Sequence, residues 1–276
     1  MSVWSCQKKE ECPVLKSTFC GDEREGPIVL SYHPTSADAV MECYVDHIIS
    51  CWNKWLELKD KWLHSVKRVV ECATGDRFNK DIFQQTMSFM ILHHDIGKLT
   101  VEYQKREFFR HEVVSSYILY RYLQEHIPKS LATILAAATY LHHEGLQITH
   151  EHFEMREPTY SYLLAWLSSR EFHMINGWED LMFHVTQKYL PEFMPFSACH
   201  LRAIRGSEIA DVLGSIAIRV DGCSAPLSMR MAIAAVLHPL TICDSLAAKK
   251  RGGTSSFFSE DITRLFNLGA LPMVQE

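Results

Sequence analysis

Five apolar stretches of the 276-residue chain carry histidine or aspartate: YVDHIISC holds His47, ILHHDIGK holds His94 and Asp95, FFRHEVVS holds His111, TYLHHEGL holds His142 and His143, and TICDSLAA holds Asp244. Imidazole nitrogen together with carboxylate oxygen suits first-row divalent ions such as Mn, Fe, Co, Ni and Zn, whereas magnesium alone prefers an all-oxygen shell. No single piece is diagnostic. With 15 His in the chain, an adjacent His-Asp pair is expected about once by chance. Asp244 carries more weight, because it sits between Ile242, Cys243 and Leu246, Ala247, Ala248. Buried there unpaired it would cost several kcal/mol, so it needs a cation or dense donors unless it lies on an exposed face or meets an arginine.

In order along the chain come a helical His, H-D-x-G-K at 94–98, a His-Glu helix start at 111–112, a His-His helix end at 142–143 and D-x-L-A-A at 244–248. This series resembles the HD phosphohydrolase superfamily. The doubled histidine and the wide final spacing resemble, within it, the CRISPR-associated HD nuclease, the DNA-cutting part of type I interference systems. The resemblance spans roughly residues 47 to 248 and implies an all-α, single HD-domain helical bundle. It further implies two divalent ions, Mn, Mg, Ni, Co or Fe, a choice that the ligand set leaves open. His47, His94, Asp95 and Asp244 would hold the first ion. Asp95, His111, His142 and His143 would hold the second, with Asp95 bridging. Neighbours on a regular helix point about 100° apart, so His142 and His143 both reach one ion only if the helix ends there. Gly145 permits such an ending.

The implied activity is metal-dependent hydrolysis of phosphodiester bonds in single-stranded DNA, endonucleolytic and in part exonucleolytic, with Asp95 and Lys98 as the catalytic side chains. The implied partners are single-stranded DNA, a separate helicase subunit and an RNA-guided surveillance complex. Electrostatics agrees with this. Two ions bring +4 against −2 from Asp95 and Asp244, a local excess of about +2 in a chain whose net charge is −5. A chain of that net charge does not hold nucleic acid by a broad basic face, so phosphate must be drawn in locally. Paired ions also lower the pKa of a shared water toward neutrality and stabilise a pentacovalent phosphorus. Lys98 either touches the scissile phosphate or is a solvated cation at a helix end, worth a few tenths of a kcal/mol.

Before His111, Lys105, Arg106 and Arg110 interleave with Tyr103, Phe108 and Phe109. Such a basic-aromatic loop could stack bases and pair phosphates of a single strand. Equally, it could be an ordered loop with its rings packed inward. Lys249 and Lys250 are DNA-binding candidates on the same terms. His93 is a candidate to support a ligand from behind. His33, His64, His126, His150, His152, His173, His184 and His200 read as ordinary surface or core residues, and His238 as a residue shaping a kink at Pro239.

These side chains must be positioned by helices. Residues 1–34 read as an irregular arm with a short strand at PIVLSY, and 35–276 as the nuclease domain. Thr35 or Ser36 can cap a helix whose residues Val40, Cys43, Tyr44, His47, Ile48 and Cys51 recur at three-to-four spacing, followed by its continuation or a second helix ending near Gly75. Asn79 can cap a helix over 80–94, closed by a left-handed Gly97. Further helices are predicted over 111–127, 129–143, 160–169, 178–190, 200–220 and 228–250, the last kinked at Pro239.

Composition places the chain among ordinary globular proteins, with 47% apolar and 22% charged residues. Nine cysteines in a chain of this size are expected to be reduced thiols, and Cys6, Cys12 and Cys20 lack the close pair of a zinc knot. Uninterrupted apolar runs such as TILAAATYL fall short of the roughly 18 residues of a membrane span, and the first residues lack a secretory h-region. A cytoplasmic location without membrane contact is therefore expected. Phosphate-loop, dinucleotide and serine-elbow signatures are missing from the sequence. Two competing functions remain: an HD phosphohydrolase acting on nucleotides or cyclic nucleotides, and a helical adaptor within a defence complex.

Overall fold

The structure, a computed structural model, describes residues 29–32, 42–107, 110–143, 165–193 and 203–249. Two short strands, β1 (Leu30–Tyr32) and β2 (Glu42–Cys43), form an antiparallel pair that leads into α1 (Tyr44–Thr74). The strand expected at PIVLSY is present. The first helix begins later than its periodicity predicts, because Glu42 and Cys43 are extended and paired to β1; Thr35 and Ser36 lie outside the described residues. One continuous helix then runs to Gly75, whose φ of 76° closes it while its N–H donates to the Glu71 carbonyl.

Helix α2 (Lys80–His93) is capped as expected, the Asn79 side chain accepting from the N–H groups of Asp81 and Ile82. Its end differs from expectation. Gly97 is not left-handed but lies in a 3-10 turn over Ile96–Leu99, and a Cβ built on it would stand 2.1 Å from the His111 carbonyl oxygen. Glycine is required there by close approach to the His111 backbone, not by backbone handedness.

The short α3 (Val101–Gln104) leads to α4 (His111–Leu123) and α5 (Lys129–Leu141), which pack together and share a hydrogen bond from Ser116 Oγ to the Ala136 carbonyl, 2.8 Å. Next come β3 (Glu171–His173), α6 (Trp178–Tyr189), β4 (Ala203–Arg205), α7 (Gly206–Asp221) and α8 (Pro226–Lys249). β3 and β4 pair antiparallel, with Phe172 opposite Ile204. Sequence periodicity assigned β4 to the helix that follows it. Within the predicted helix over 160–169, residues 165–168 are helical and 160–164 lie outside the described residues.

The fold is mostly α, with two small sheets among the described residues. Its core includes Tyr44, Trp55, Phe83, Phe89 and Phe172, all fully buried. α1 packs along α8, and α8 also packs on α5, so the long helices form a frame around the ends of α2, α4 and α5. Crosslinks hold that frame: Trp55 Nε1 donates to Ser88 Oγ at 2.7 Å, and His93 Nε2 lies 2.9 Å from Thr186 Oγ1 on α6. α8 continues helically through Pro239. Contrary to the reading from apolar runs, Pro226–Ala248 is long and apolar enough to cross a membrane by length and composition. Half of that window is buried, and its Asp244 faces the site described next, which makes α8 a core helix.

Candidate metal centre

Each expected ligand comes from a helix terminus or first turn, except Asp244, which α8 delivers from within. His47 lies in the first turn of α1, His94 and Asp95 directly follow α2, and His111 opens α4. α5 ends at Leu141, so His142 and His143 occupy the turn beyond it. The condition for both imidazoles to face one point is thus met. Gly145, expected to permit that ending, lies outside the described residues.

The side chains converge on Asp95. Its Oδ2 is 3.0 Å from His47 Nε2 and 3.6 Å from His94 Nε2, while Asp244 Oδ1 is 3.0 Å from His47 Nε2 and 3.8 Å from His94 Nε2. Its other oxygen, Oδ1, is 2.9 Å from His111 Nε2 and 3.5 Å from His142 Nε2, and His143 Nε2 is 3.2 Å from His111 Nε2. Two donor nests therefore share one carboxylate. His47, Cys51, His94 and Asp244 form the first, and Asp95, His111, His142 and His143 the second, each with ligand atoms within 4.8 Å of one another.

Donors roughly 2.0–2.3 Å from a common ion stand roughly 2.8 to 3.8 Å apart, and the distances above run from 2.9 to 3.8 Å. Tautomers fit as well. His94 Nδ1 sits 2.8 Å from the Ile91 carbonyl, and His142 Nδ1 contacts the Thr139 carbonyl, so each ring is held from behind with Nε2 turned into the nest. His94 Nε2 and His142 Nε2 are buried without a hydrogen-bond partner. Orphaned inward nitrogens in a dry pocket are what an imidazole cation site requires. The residues therefore fit a pair of divalent ions.

Charge is balanced without bulk water. Burial opposes ionisation of Asp95, but Lys98, His94 and His111 override it and hold the carboxyl well below the usual range. Burial likewise opposes ionisation of Asp244, and the imidazoles of His47 and His94 beside it hold it low. Burial, with His142 and His111 beside it, pushes His143 well down, which favours the neutral, ligating form.

Lys98 is not a solvated cation. It is buried, with Nζ 2.6 Å from Asp95 Oδ2 and 3.2 Å from Ser31 Oγ, and the Asp95 charge raises its pKa despite burial. Of the expected DNA contacts, Lys105 and Arg106 are exposed and Arg106 has a left-handed φ of 63°. Arg110 is half-buried and pairs with Glu112. Tyr103 does not belong to a base-stacking surface: it is buried, its hydroxyl donates to the Ser31 carbonyl at 2.8 Å, and its ring meets His111 edge-on at 5.3 Å. Phe108, Phe109, Lys250 and the Lys249 side chain lie outside the described residues.

His93 turns toward Thr186 rather than behind a ligand, and His238 packs on Trp62 at 4.8 Å. His64, His126, His173 and His184 are exposed. Two residues escaped sequence reasoning. Glu42 Oε2 lies 3.1 Å from His47 Nδ1, across the ring from the nest, and nothing in the sequence signals the strand that places it. Cys51 had a signal, its position one helical turn after His47, but reads as part of an apolar stripe.

A mostly helical frame that gathers an ordered His, His-Asp, His, His-His and Asp set around one buried carboxylate, all but the last Asp from helix ends or first turns, defines a protein of the HD class. No family model matches the chain. Three curated relatives do, each called CRISPR-associated endonuclease Cas3-HD. The one from Thermoproteus tenax is 31% identical over 235 residues, covering 81% of this chain and 92% of the relative. Those from Pyrococcus furiosus and Methanocaldococcus jannaschii are 28% and 26% identical over 226 residues, covering 78% of this chain and 92% and 89% of theirs. A solved CRISPR-associated Cas3 HD domain protein from Methanocaldococcus jannaschii superposes with a TM-score of 0.54 at 26% identity, over 72% of this chain and 95% of that one. The chain belongs to the CRISPR-associated Cas3-HD endonuclease family, and is an HD nuclease.

Proposed function

We propose that this nuclease is metal-dependent and hydrolyses phosphodiester bonds within single-stranded DNA, with trimming from ends as a secondary activity. In this reading it works in the cytoplasm during CRISPR defence, on strand supplied by a separate helicase subunit and an RNA-guided surveillance complex. The observation that carries the metal-dependent reading is the division of Asp95, whose two oxygens face different donor nests. His47, His94 and Asp244 would hold one ion with Asp95, and His111, His142 and His143 the other.

Bound divalent ions would supply Lewis acidity toward phosphate and an acidified water. The chain supplies the rest. Asp95 fixes the spacing of the two nests, and Lys98 places one positive charge against it, where an incoming phosphate oxygen gains a cationic partner with no solvent to reorganise. Lys105 and Arg106 are exposed and follow Tyr103, whose ring contacts His111, and their charges would suit a passing backbone.

The test is cleavage of single-stranded DNA, double-stranded DNA and mononucleotides with Mn, Mg, Ni, Co or Zn, alongside Asp95→Ala. Metal-dependent cutting of single strands, absent in the variant, is expected. Turnover of mononucleotides alone would assign the site to a nucleotide phosphohydrolase, and full activity in Asp95→Ala would overturn the mechanism.

A further inference from the structure

Around His47 Nε2 stand three other donors: Asp95 Oδ2 at 3.0 Å, Asp244 Oδ1 at 3.0 Å and Cys51 Sγ at 3.7 Å. One imidazole nitrogen carries either one proton or one lone pair, so it cannot satisfy three neighbours through hydrogen bonds. A cation set among them satisfies all of them at once. The sulfur distance fits that role. An Sγ about 2.3 Å and a nitrogen about 2.0–2.1 Å from one ion in a tetrahedral shell are roughly 3.5 Å apart. Cys51 is fully buried and follows His47 by four residues on α1, so helix geometry puts both side chains on the same face. His94 Nε2, buried and without a hydrogen-bond partner, points into the same nest.

We infer that Cys51 is a further protein ligand of the first metal site, which makes that site selective for thiophilic ions such as zinc, cobalt or iron over magnesium. This rests on the metal-dependent reading of the centre. When the ion binds, a sulfur–metal bond forms, the S–H bond breaks heterolytically and its proton leaves to solvent; nothing is oxidised or reduced. The thiolate adds one negative charge, so the two nests differ in donor softness as well as in position. The second nest offers only nitrogen and oxygen, a harder set than the first.

The experiment is titration of the metal-free full-length protein with Co(II) under reducing conditions, followed by absorption spectroscopy. The expected result is a thiolate-to-cobalt charge-transfer band in the near ultraviolet that is lost in Cys51→Ser and in Asp244→Ala, while visible ligand-field bands persist in Cys51→Ser. Thermal melting of each variant shows that it is folded. The preference for zinc over magnesium should also fall roughly tenfold or more in Cys51→Ser. Ligand-field bands without the charge-transfer band, or a band unchanged in Cys51→Ser, would overturn the role of Cys51 and leave the metal centre standing. A folded wild-type protein that binds no cobalt would overturn both.

Discussion

Asp95 shows how one short side chain can organise a site. It has one oxygen for each nest and a lysine 2.6 Å from Oδ2. Lys98 neutralises this carboxylate but lies outside both donor groups. Lys98→Ala should therefore keep both ions, measured as metal content of the purified protein, while cleavage slows roughly 10²–10³-fold; loss of metal instead would make Lys98 a structural support. His93 gives a second handle. Burial beside His94 lowers its pKa to about 3, against about 6.5 for an unfolded chain. Between those values the unfolded state binds a proton that the folded state refuses, so stability falls as pH drops through 6.5 toward 3. In His93→Gln, the slope of unfolding free energy against pH should be shallower by about 1.4 kcal/mol per pH unit over that window. Denaturant melts at pH 6 and pH 4 in chelator would measure it. The candidate ligands were legible because ionisable residues in apolar contexts demand partners. Cys51 was hidden because a thiol sits comfortably on an apolar stripe.

The elements matter through their ends. His111 opens α4 where Gly97 passes the His111 carbonyl so closely that no Cβ fits. Gly97→Ala should cost about 3 kcal/mol in a denaturant melt and weaken metal binding, because separating the two segments pulls His111 from Asp95. Unchanged stability would mean the turn relaxes freely. Helices over 44–74, 80–93, 111–123 and 129–141 could be read from 3.6-residue periodicity and from Asn79 and Gly75. The strands could not. β3 is three residues long and its partner β4 lies thirty positions on, so neither alternation nor a turn signature announces them. Glu42 was lost with β2 for the same reason.

Across the molecule, the proposed ligands come from α1, the end of α2, the start of α4, the end of α5 and α8, so the proposed centre exists only when the chain is folded. An ion that binds only the folded state stabilises it by about 2.7 kcal/mol per site at one hundred times its dissociation constant. Adding Mn or Co to the metal-free protein should raise the melting temperature, and Asp95→Ala should remove most of that rise; equal shifts in both would place the ions elsewhere. The order of motifs made this convergence legible, since only a closed helical frame brings residues 47 and 244 together. The first residues of that frame are also tied to chemistry. Ser31 contacts the Lys98 ammonium, and its carbonyl accepts from the Tyr103 hydroxyl. A chain shortened to begin where helical periodicity starts, near residue 35, would lose a clasp over the buried Lys98 while keeping every proposed metal ligand. Such a fragment should still bind divalent ions at the proposed centre, yet would be a poor guide to how fast the intact protein cuts.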